Sequence, residues 1–219
     1  VRYSYDKLDR LEETLDPAGR KESYTYDSVG NLTKKTVNDT RVTSYAYDAN
    51  GNLTSLTNAL GQTETKKYDN MNRLVQETDA TGAKTTYQYD GKGQLLSSTD
   101  GNGNTTAVAY DGNGNVISVT DGEGRQVRYA YDLADRLTEA MAGDASYENR
   151  NTYTYDEVGN LTSTTDGNGN KMTYTYDLLS NQTSRTNALG ETESYSYNLN
   201  NRLEKITRPT GNTIQNEYN

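Results

Sequence analysis

Two apolar signals recur along the chain with polar stretches between them. One is a Tyr-x-Tyr pair, as in Tyr24-Thr25-Tyr26; the other is an aliphatic residue six positions after the second Tyr, as in Leu32. The runs that carry them are about six residues long and hold Thr, Tyr, Val and Leu, which suit a pleated, half-buried strand. No segment sustains the 3.6-residue period of an amphipathic helix. The pattern therefore predicts short strands throughout, in an all-β chain.

The signals keep a fixed period, the mark of a repeat architecture. The second Tyr falls at Tyr5, Tyr26, Tyr47, Tyr68, Tyr89, Tyr110, Tyr131, Tyr155, Tyr176, Tyr197 and Tyr218. Nine of these ten intervals are 21 residues, and the other, Tyr131 to Tyr155, is 24. Of the 20 tyrosines only Tyr147 lies outside the two repeat slots. The chain thus reads as one array, 1–219, of about ten repeats with a three-residue insertion within 141–152.

Two turn signals punctuate each unit. The first follows the Tyr pair, as in Asp27-Ser28-Val29-Gly30, and the second comes ten residues later, as in Asp16-Pro17-Ala18-Gly19 after Asp6. Asp first, Pro second and Gly fourth is the preference of a type I turn. Gly30, Gly51, Gly93, Gly114 and Gly159 take the fourth place of the first turn, replaced by Asp9, Asn72, Asp135 or Asn201 elsewhere, with Ser180 as the exception. Gly19, Gly61, Gly82, Gly103, Gly124, Gly169, Gly190 and Gly211 take it in the second. Gly, Asn and Asp share a tolerance of the left-handed backbone, so the expected requirement is positive φ rather than side-chain chemistry. Each repeat becomes strand, turn, strand, turn, and some twenty strands at about 4.8 Å would make a ribbon roughly 90–100 Å long, which twist must curve.

An odd period conflicts with the two-residue alternation of a strand. Tyr would change face at every repeat unless one turn is odd and the other even, or each unit carries a bulge. A three-residue first loop ending in the left-handed residue pairs Tyr26 with Leu32. An even second loop would then pair Leu32 with Tyr45, and Leu11 with Tyr24. On this register the expected repeat core comprises Tyr5, Leu11, Tyr24, Tyr26, Leu32, Tyr45, Tyr47 and Leu53, continuing through Tyr89, Leu95, Tyr131, Leu137, Tyr155, Leu161 and Tyr176. The Thr four residues after each Leu, such as Thr36 and Thr57, would share that face. Thr25, Gln88 and Ala46 would make the other face polar or small.

The motif Tyr-x-Tyr-Asp-x-x-Gly-Asn-Leu, near-ideal in Tyr24–Leu32 and Tyr153–Leu161, resembles the YD-repeat, or Rhs, family. That family includes bacterial polymorphic toxins, insecticidal toxin-complex shells, wall-associated proteins and teneurins. The resemblance covers essentially the whole chain. It implies hairpins wound as a spiral sheet into a hollow shell, of which this chain would be an arc. It also implies a secreted or cell-surface protein whose partners are the rest of a parent chain and an enclosed C-terminal toxin domain. The family's C-terminal core motif is missing, so no self-cleavage residues carry over. With no initiator Met, and a start and a stop in the same repeat phase, the chain reads as a segment of a longer array. Open edge strands at both ends would offer pairing to another copy.

Composition narrows the function. Only 31% of residues are hydrophobic and the mean hydropathy is -1.03, values expected of disorder but for the 20 tyrosines, which bring buried area with one polar end. A net charge of -9 leaves nothing to neutralise phosphates, so nucleic acid is not an expected partner. No apolar run reaches the roughly 20 residues of a membrane span. His and Cys are both absent, which removes the usual general base and the thiol nucleophile. No acid stands out from the repeated Asp rows as a catalytic group, and no catalytic, cofactor or metal residues are expected. Asp111-Gly112-Asn113-Gly114-Asn115 and Asp48-Ala49-Asn50-Gly51-Asn52 begin like a calcium loop but lack its sixth-position Gly, so they read as turns. Two minor readings accompany the scaffold: an extracellular adhesion or carbohydrate-binding module presenting rows of Tyr, and a partner-contacting loop in the irregular segment from Met141 to Arg150.

Overall fold

The computed structural model describes residues 1–143 and 149–218; most of the insertion loop, Tyr147 included, lies outside the described residues. The described residues form 21 strands, from β1 (Arg2–Tyr5) to β21 (Thr213–Gln215), all antiparallel and with no helix among them. It follows that no helix is long and apolar enough to cross a membrane. Two compact units divide the chain, Val1–Ala107 and Val108–Asn219. Within each unit, successive strands pair in chain order. In the first, β2 (Leu11–Leu15) pairs with β3 (Lys21–Tyr26), β3 with β4 (Leu32–Val37), and β4 with β5 (Arg41–Tyr47). In the second, β15 (Asn149–Tyr155) pairs with β16 (Leu161–Thr165), and β16 with β17 (Lys171–Tyr176).

The parity conflict is resolved by a bulge, not by an even loop. Across the first-turn hairpin Tyr24 faces Lys35 and Thr25 faces Lys34, but Tyr26 faces Leu32, so Thr33 is the extra residue. The same shift recurs one step before Tyr47, Tyr68, Tyr89, Tyr131, Tyr155, Tyr176 and Tyr197. Both turns are odd. Asp27 N–H donates to Asn31 O at 2.9 Å, Asp16 N–H donates to Arg20 O at 3.0 Å, and each pair encloses three loop residues. One odd period plus one bulge returns every Tyr to the same face.

Two expected placements are corrected by this register. Lys35 pairs with Thr43 and Lys34 with Ser44, so Leu32 lies level with Ala46 rather than opposite Tyr45. Likewise Glu13 pairs with Ser23, which leaves Leu11 level with Thr25 and not with Tyr24. The Thr four residues after each Leu lies on the other face: Thr36 pairs with Ser23 and Thr57 with Ser44, neighbours of the tyrosines in the strand and so pointing away from them. The residue three after Leu joins the Tyr face instead, as Lys35, Leu56, Val119 and Ile206 do. The displaced threonines pair hydroxyls across the opposite face, as Thr57 with Thr63, Thr99 with Thr105 and Thr186 with Thr192, each at 2.8 Å.

Within each unit the described strands belong to a single sheet. The chain exposes 14759 Å², against about 10,000 Å² for a packed monomer of 24.3 kDa. Among the described residues no apolar side chain is fully buried, and the one buried polar residue is Ser163. The Tyr and Leu residues expected to form a core are half-buried, and Tyr5 is exposed. Hydrophobic burial alone does not explain a sheet this thin, and the corners supply what is missing.

Candidate functional site

The recurring site is the hairpin corner. In the second repeat Gly30 adopts φ 102° and its N–H donates to Asp27 O at 3.3 Å. The Asp27 carboxylate accepts from Val29 N–H at 3.0 Å and Asn31 N–H at 2.8 Å through Oδ1, and from Asn31 Nδ2 at 3.0 Å through Oδ2. All the glycines expected at fourth turn positions have positive φ, and so do Asp9, Asn72, Asp135, Asn201 and Ser180. Ser180 is an exception in residue type but not in conformation.

These hydrogen bonds depress the corner acids. Asp48 is held below the ordinary carboxylate value by the Asn52 side-chain amide and by backbone N–H groups from Asn50 to Asn52. Asp100, Asp156, Asp166 and Asp177 are lowered in the same way by Asn104, Asn160, Asn170 and Asn181. The carboxylates are occupied by their own turns, and no group of three or more acidic side chains that could hold a metal ion occurs among the described residues.

The second Tyr of each pair ties one repeat to the last. Tyr26 Oη donates to Leu11 O at 2.9 Å, and Tyr47, Tyr68 and Tyr89 reach Leu32 O, Leu53 O and Leu74 O in the same way. Tyr131, Tyr155, Tyr176, Tyr197 and Tyr218 repeat the bond in the second unit at 2.7–3.0 Å. The acceptor belongs to the residue at the bulge, where the regular ladder is interrupted. Each Leu is therefore bracketed by its own second Tyr across the hairpin and by the next repeat's second Tyr through its carbonyl.

The first Tyr is read by side chains instead. Tyr24 Oη donates to Glu22 at 2.6 Å, with Lys35 3.1 Å from the same carboxylate. Tyr87 Oη donates to Glu77 at 2.5 Å, and this carboxylate pushes the phenol up to about 12. A side-chain partner can change from repeat to repeat, whereas the backbone carbonyl cannot. That accounts for Lys66, Val108 and Asn216 in the first slot, while the second is Tyr throughout.

A set of arginines not anticipated from the sequence completes the corners. Arg73 takes the place of Asn31: its Nε donates to Asp69 at 2.7 Å, its Nη1 reaches Asp90 O of the next repeat at 2.9 Å, and its guanidinium lies 4.9 Å from the Tyr89 ring centre. Arg10 and Arg136 do the same with Asp27 O and Tyr26, and with Asp156 O and Tyr155. Arg202 lies over Tyr218 at 5.4 Å. These four stand in repeats one, four, seven and ten, spaced 63, 63 and 66 residues apart. Just before each of the last three, an amide reaches forward: Asn52 Nδ2 to Asn72 Oδ1, Asn115 to Asp135 and Asn181 to Asn201, at 2.5–2.9 Å. The signal was visible in the sequence as Asn-Arg-Leu or Asp-Arg-Leu in every third unit.

A ladder of antiparallel hairpins with corners tied in series defines a structural repeat protein, with its chemistry spent on holding itself together. A family model described as the teneurin YD-shell matches residues 1–148, and one described as the RHS repeat matches 155–192 and 176–213. The chain belongs to the YD-shell family of RHS-type repeats. Among solved structures it is similar to the complex TcdB2-TccC3-Cdc42 (18% identity, TM-score 0.61) and to TcdB2-TccC3 without its hypervariable C-terminal region (18%, 0.62). It is also similar to the Tc holotoxin pore of Photorhabdus luminescens carrying a TccC3 mutation (18%, 0.55). The matches cover 97–99% of this chain and 15% of those chains, so the chain spans a small fraction of the proteins it resembles. No curated protein matches it by sequence.

Proposed function

We propose that the chain is a non-catalytic wall segment of a YD/RHS shell, one continuous array over 1–219, whose secreted parent protein encloses a toxin domain C-terminal to the repeats. The tyrosine-to-carbonyl tie carries this reading. It recurs from Tyr26 to Tyr218 and commits the most regular aromatic of the repeat to the sheet itself. Corner carboxylates engaged by their own turns support the same reading, since they are poorly placed to transfer protons. The likeness to TccC3-containing structures, one of them described by a hypervariable C-terminal region, supports a variable domain beyond the shell.

Limited proteolysis of the parent protein tests the proposal. The C-terminal domain is expected to resist a nonspecific protease in the intact protein and to be cleaved readily once the repeat array is unfolded by denaturant. A domain cleaved equally fast in both states would overturn the enclosure.

A further inference from the structure

Four corners carry an Asn-Gly pair whose reactivity the shell reading leaves unused: Asn50-Gly51, Asn102-Gly103, Asn113-Gly114 and Asn168-Gly169. In each, the Asn is exposed at the third turn position and the Gly takes the left-handed fourth, with φ from 82° to 97°. Asn50 and Asn102 belong to the first unit, Asn113 and Asn168 to the second. An Asn before Gly is open to attack on its side-chain carbonyl by the next main-chain nitrogen, because no Cβ shields that nitrogen.

The corners differ in what holds the Asn side chain. Asn50 Nδ2 donates to Asn72 Oδ1 at 2.9 Å and Asn113 Nδ2 to Asp135 Oδ1 at 2.8 Å, each acceptor standing at the first-turn corner of the following repeat. Those bonds tether the carbonyl carbon that would be attacked. Among the described residues the Asn102 and Asn168 side-chain amides have no such partner. Only their backbone N–H groups are fixed, to Asp100 Oδ1 and Asp166 Oδ1 at 2.9 Å. A Cβ built at Gly103 or Gly169 would meet nothing within 4 Å, so the nitrogen there has open space for a tetrahedral intermediate. The Gly N–H bonds the turn's first carbonyl at 2.9–3.3 Å in all four corners. That bond slows attack everywhere and does not separate the sites, although Gly114 N–H is held further by Asp111 Oδ1 at 2.9 Å.

We propose that Asn102 and Asn168 are self-modification sites, converting without an enzyme through a cyclic imide to Asp and isoaspartate, while Asn50 and Asn113 are protected. The Gly nitrogen gives its proton to hydroxide and bonds to Asn Cγ. The Cγ–Nδ2 bond breaks, and Nδ2 leaves as ammonia with a proton from water. A water molecule then opens the imide at Cγ, giving Asp, or at the main-chain carbonyl carbon, giving isoaspartate. The sum consumes water and releases ammonia, with nothing oxidised or reduced. The Asp-Gly pairs of the same corners, Asp100-Gly101 and Asp166-Gly167, do not follow. Their carboxylates accept from the turn N–H groups, which holds them ionised, and they have no amine to expel. Isoaspartate puts an extra methylene into a loop of three residues, closed by Asp100 N–H to Asn104 O at 3.0 Å or by Asp166 N–H to Asn170 O at 3.1 Å. Each unit thus carries one Asn-Gly corner that opens with age and one that does not.

Timed peptide mapping by mass spectrometry tests this on the 219-residue chain held folded at mildly alkaline pH, with isoaspartate located by electron-transfer fragmentation. Asn102 and Asn168 should convert roughly three- to tenfold faster than Asn50 and Asn113, the factor that one hydrogen bond supplies. In urea the four rates should converge. Asn72→Gly removes the Asn50 tether and keeps a residue suited to the φ of 60° at that corner. Asn50 should then convert at the Asn102 rate, with Asn168 unchanged, and Asp135→Gly should release Asn113 likewise. Equal rates at all four sites in the folded chain would overturn the proposal, as would intact Asn102 and Asn168 after a time in which the chain in urea converts. So would an Asn50 rate unmoved by Asn72→Gly or an Asn113 rate unmoved by Asp135→Gly. None of these results bears on the shell assignment.

Discussion

At the residue scale the two tyrosines of a repeat do different work. Tyr47 donates to a carbonyl at the bulge, so Tyr47→Phe leaves that acceptor without its partner. The expected loss is about 0.5–1.5 kcal/mol. Tyr45 lies opposite Leu56, and its ring area is what the pairing uses, so Tyr45→Phe should change stability by less than about 0.5 kcal/mol. Urea denaturation of the two variants side by side checks the difference, and equal losses would reject the tie as the reason for the second slot. Ser180 gives a prediction of opposite sign. Its φ of 63° puts a Cβ into the left-handed region, which costs roughly 1–2 kcal/mol for an L-residue other than Gly. Ser180→Gly keeps the N–H bond to Asp177 O at 3.0 Å and should stabilise by about 0.5–1 kcal/mol after the added freedom of the unfolded chain is subtracted. A lower melting temperature for this variant would show that the Ser side chain contributes something the corner geometry does not reveal.

At the scale of the hairpin, the corner makes acid sensitivity local and countable. Asp48 and its equivalents have folded values below the ordinary carboxylate value, with the Asn side-chain amide as the leading cause. For a depressed group the stabilisation is complete above the unfolded value of about 3.9 and is lost as pH falls through the folded one. The melting temperature should therefore be level from neutral pH to about 5 and fall steeply below about 4. Asn already performs the same turn at Asn58, whose Oδ1 accepts from Leu60 N–H at 2.9 Å and Gln62 N–H at 3.1 Å without titrating. Asp48→Asn should accordingly fold at neutral pH and flatten part of the acid limb, measured by melts from pH 7 to pH 2; an acid limb as steep as before would remove Asp48 from the account. The turns were legible in the sequence because Gly, Asn and Asp at the fourth place report a backbone requirement directly. The Leu register was not, because a bulge leaves no compositional mark: Thr33 looks like any other strand Thr, and only the pairing of Tyr26 with Leu32 beside that of Thr25 with Lys34 exposes it.

At the scale of the molecule, the contacts that hold a repeat are those with its immediate neighbours, and among the described residues no buried apolar core averages over them. Stability should then be close to a sum over repeats and their interfaces. Removing residues 32–52 from the first unit takes out one full period and joins Asn31 to Leu53, recreating the Asn-Leu junction found at both ends of the deletion. Because each period carries its own bulge, the tyrosines beyond the join return to the same face. The shortened chain should fold with a strand signal per residue like the parent's and a urea m-value lower by about a tenth, in line with the surface one repeat contributes. Removing residues 32–51 instead leaves Asn31 joined to Asn52, one residue too many between the Asp27 carboxylate and Leu53. Asp27 can no longer bond the residue preceding the Leu in the geometry seen at 2.8 Å, and the carbonyl awaiting the Tyr68 hydroxyl is displaced with it. That chain, although longer, should be the less stable of the two in urea. If the 20-residue deletion proved as stable as the 21-residue one, the hairpins would be held by something other than corners in phase, and the tie from tyrosine to carbonyl would be incidental to the wall it spans.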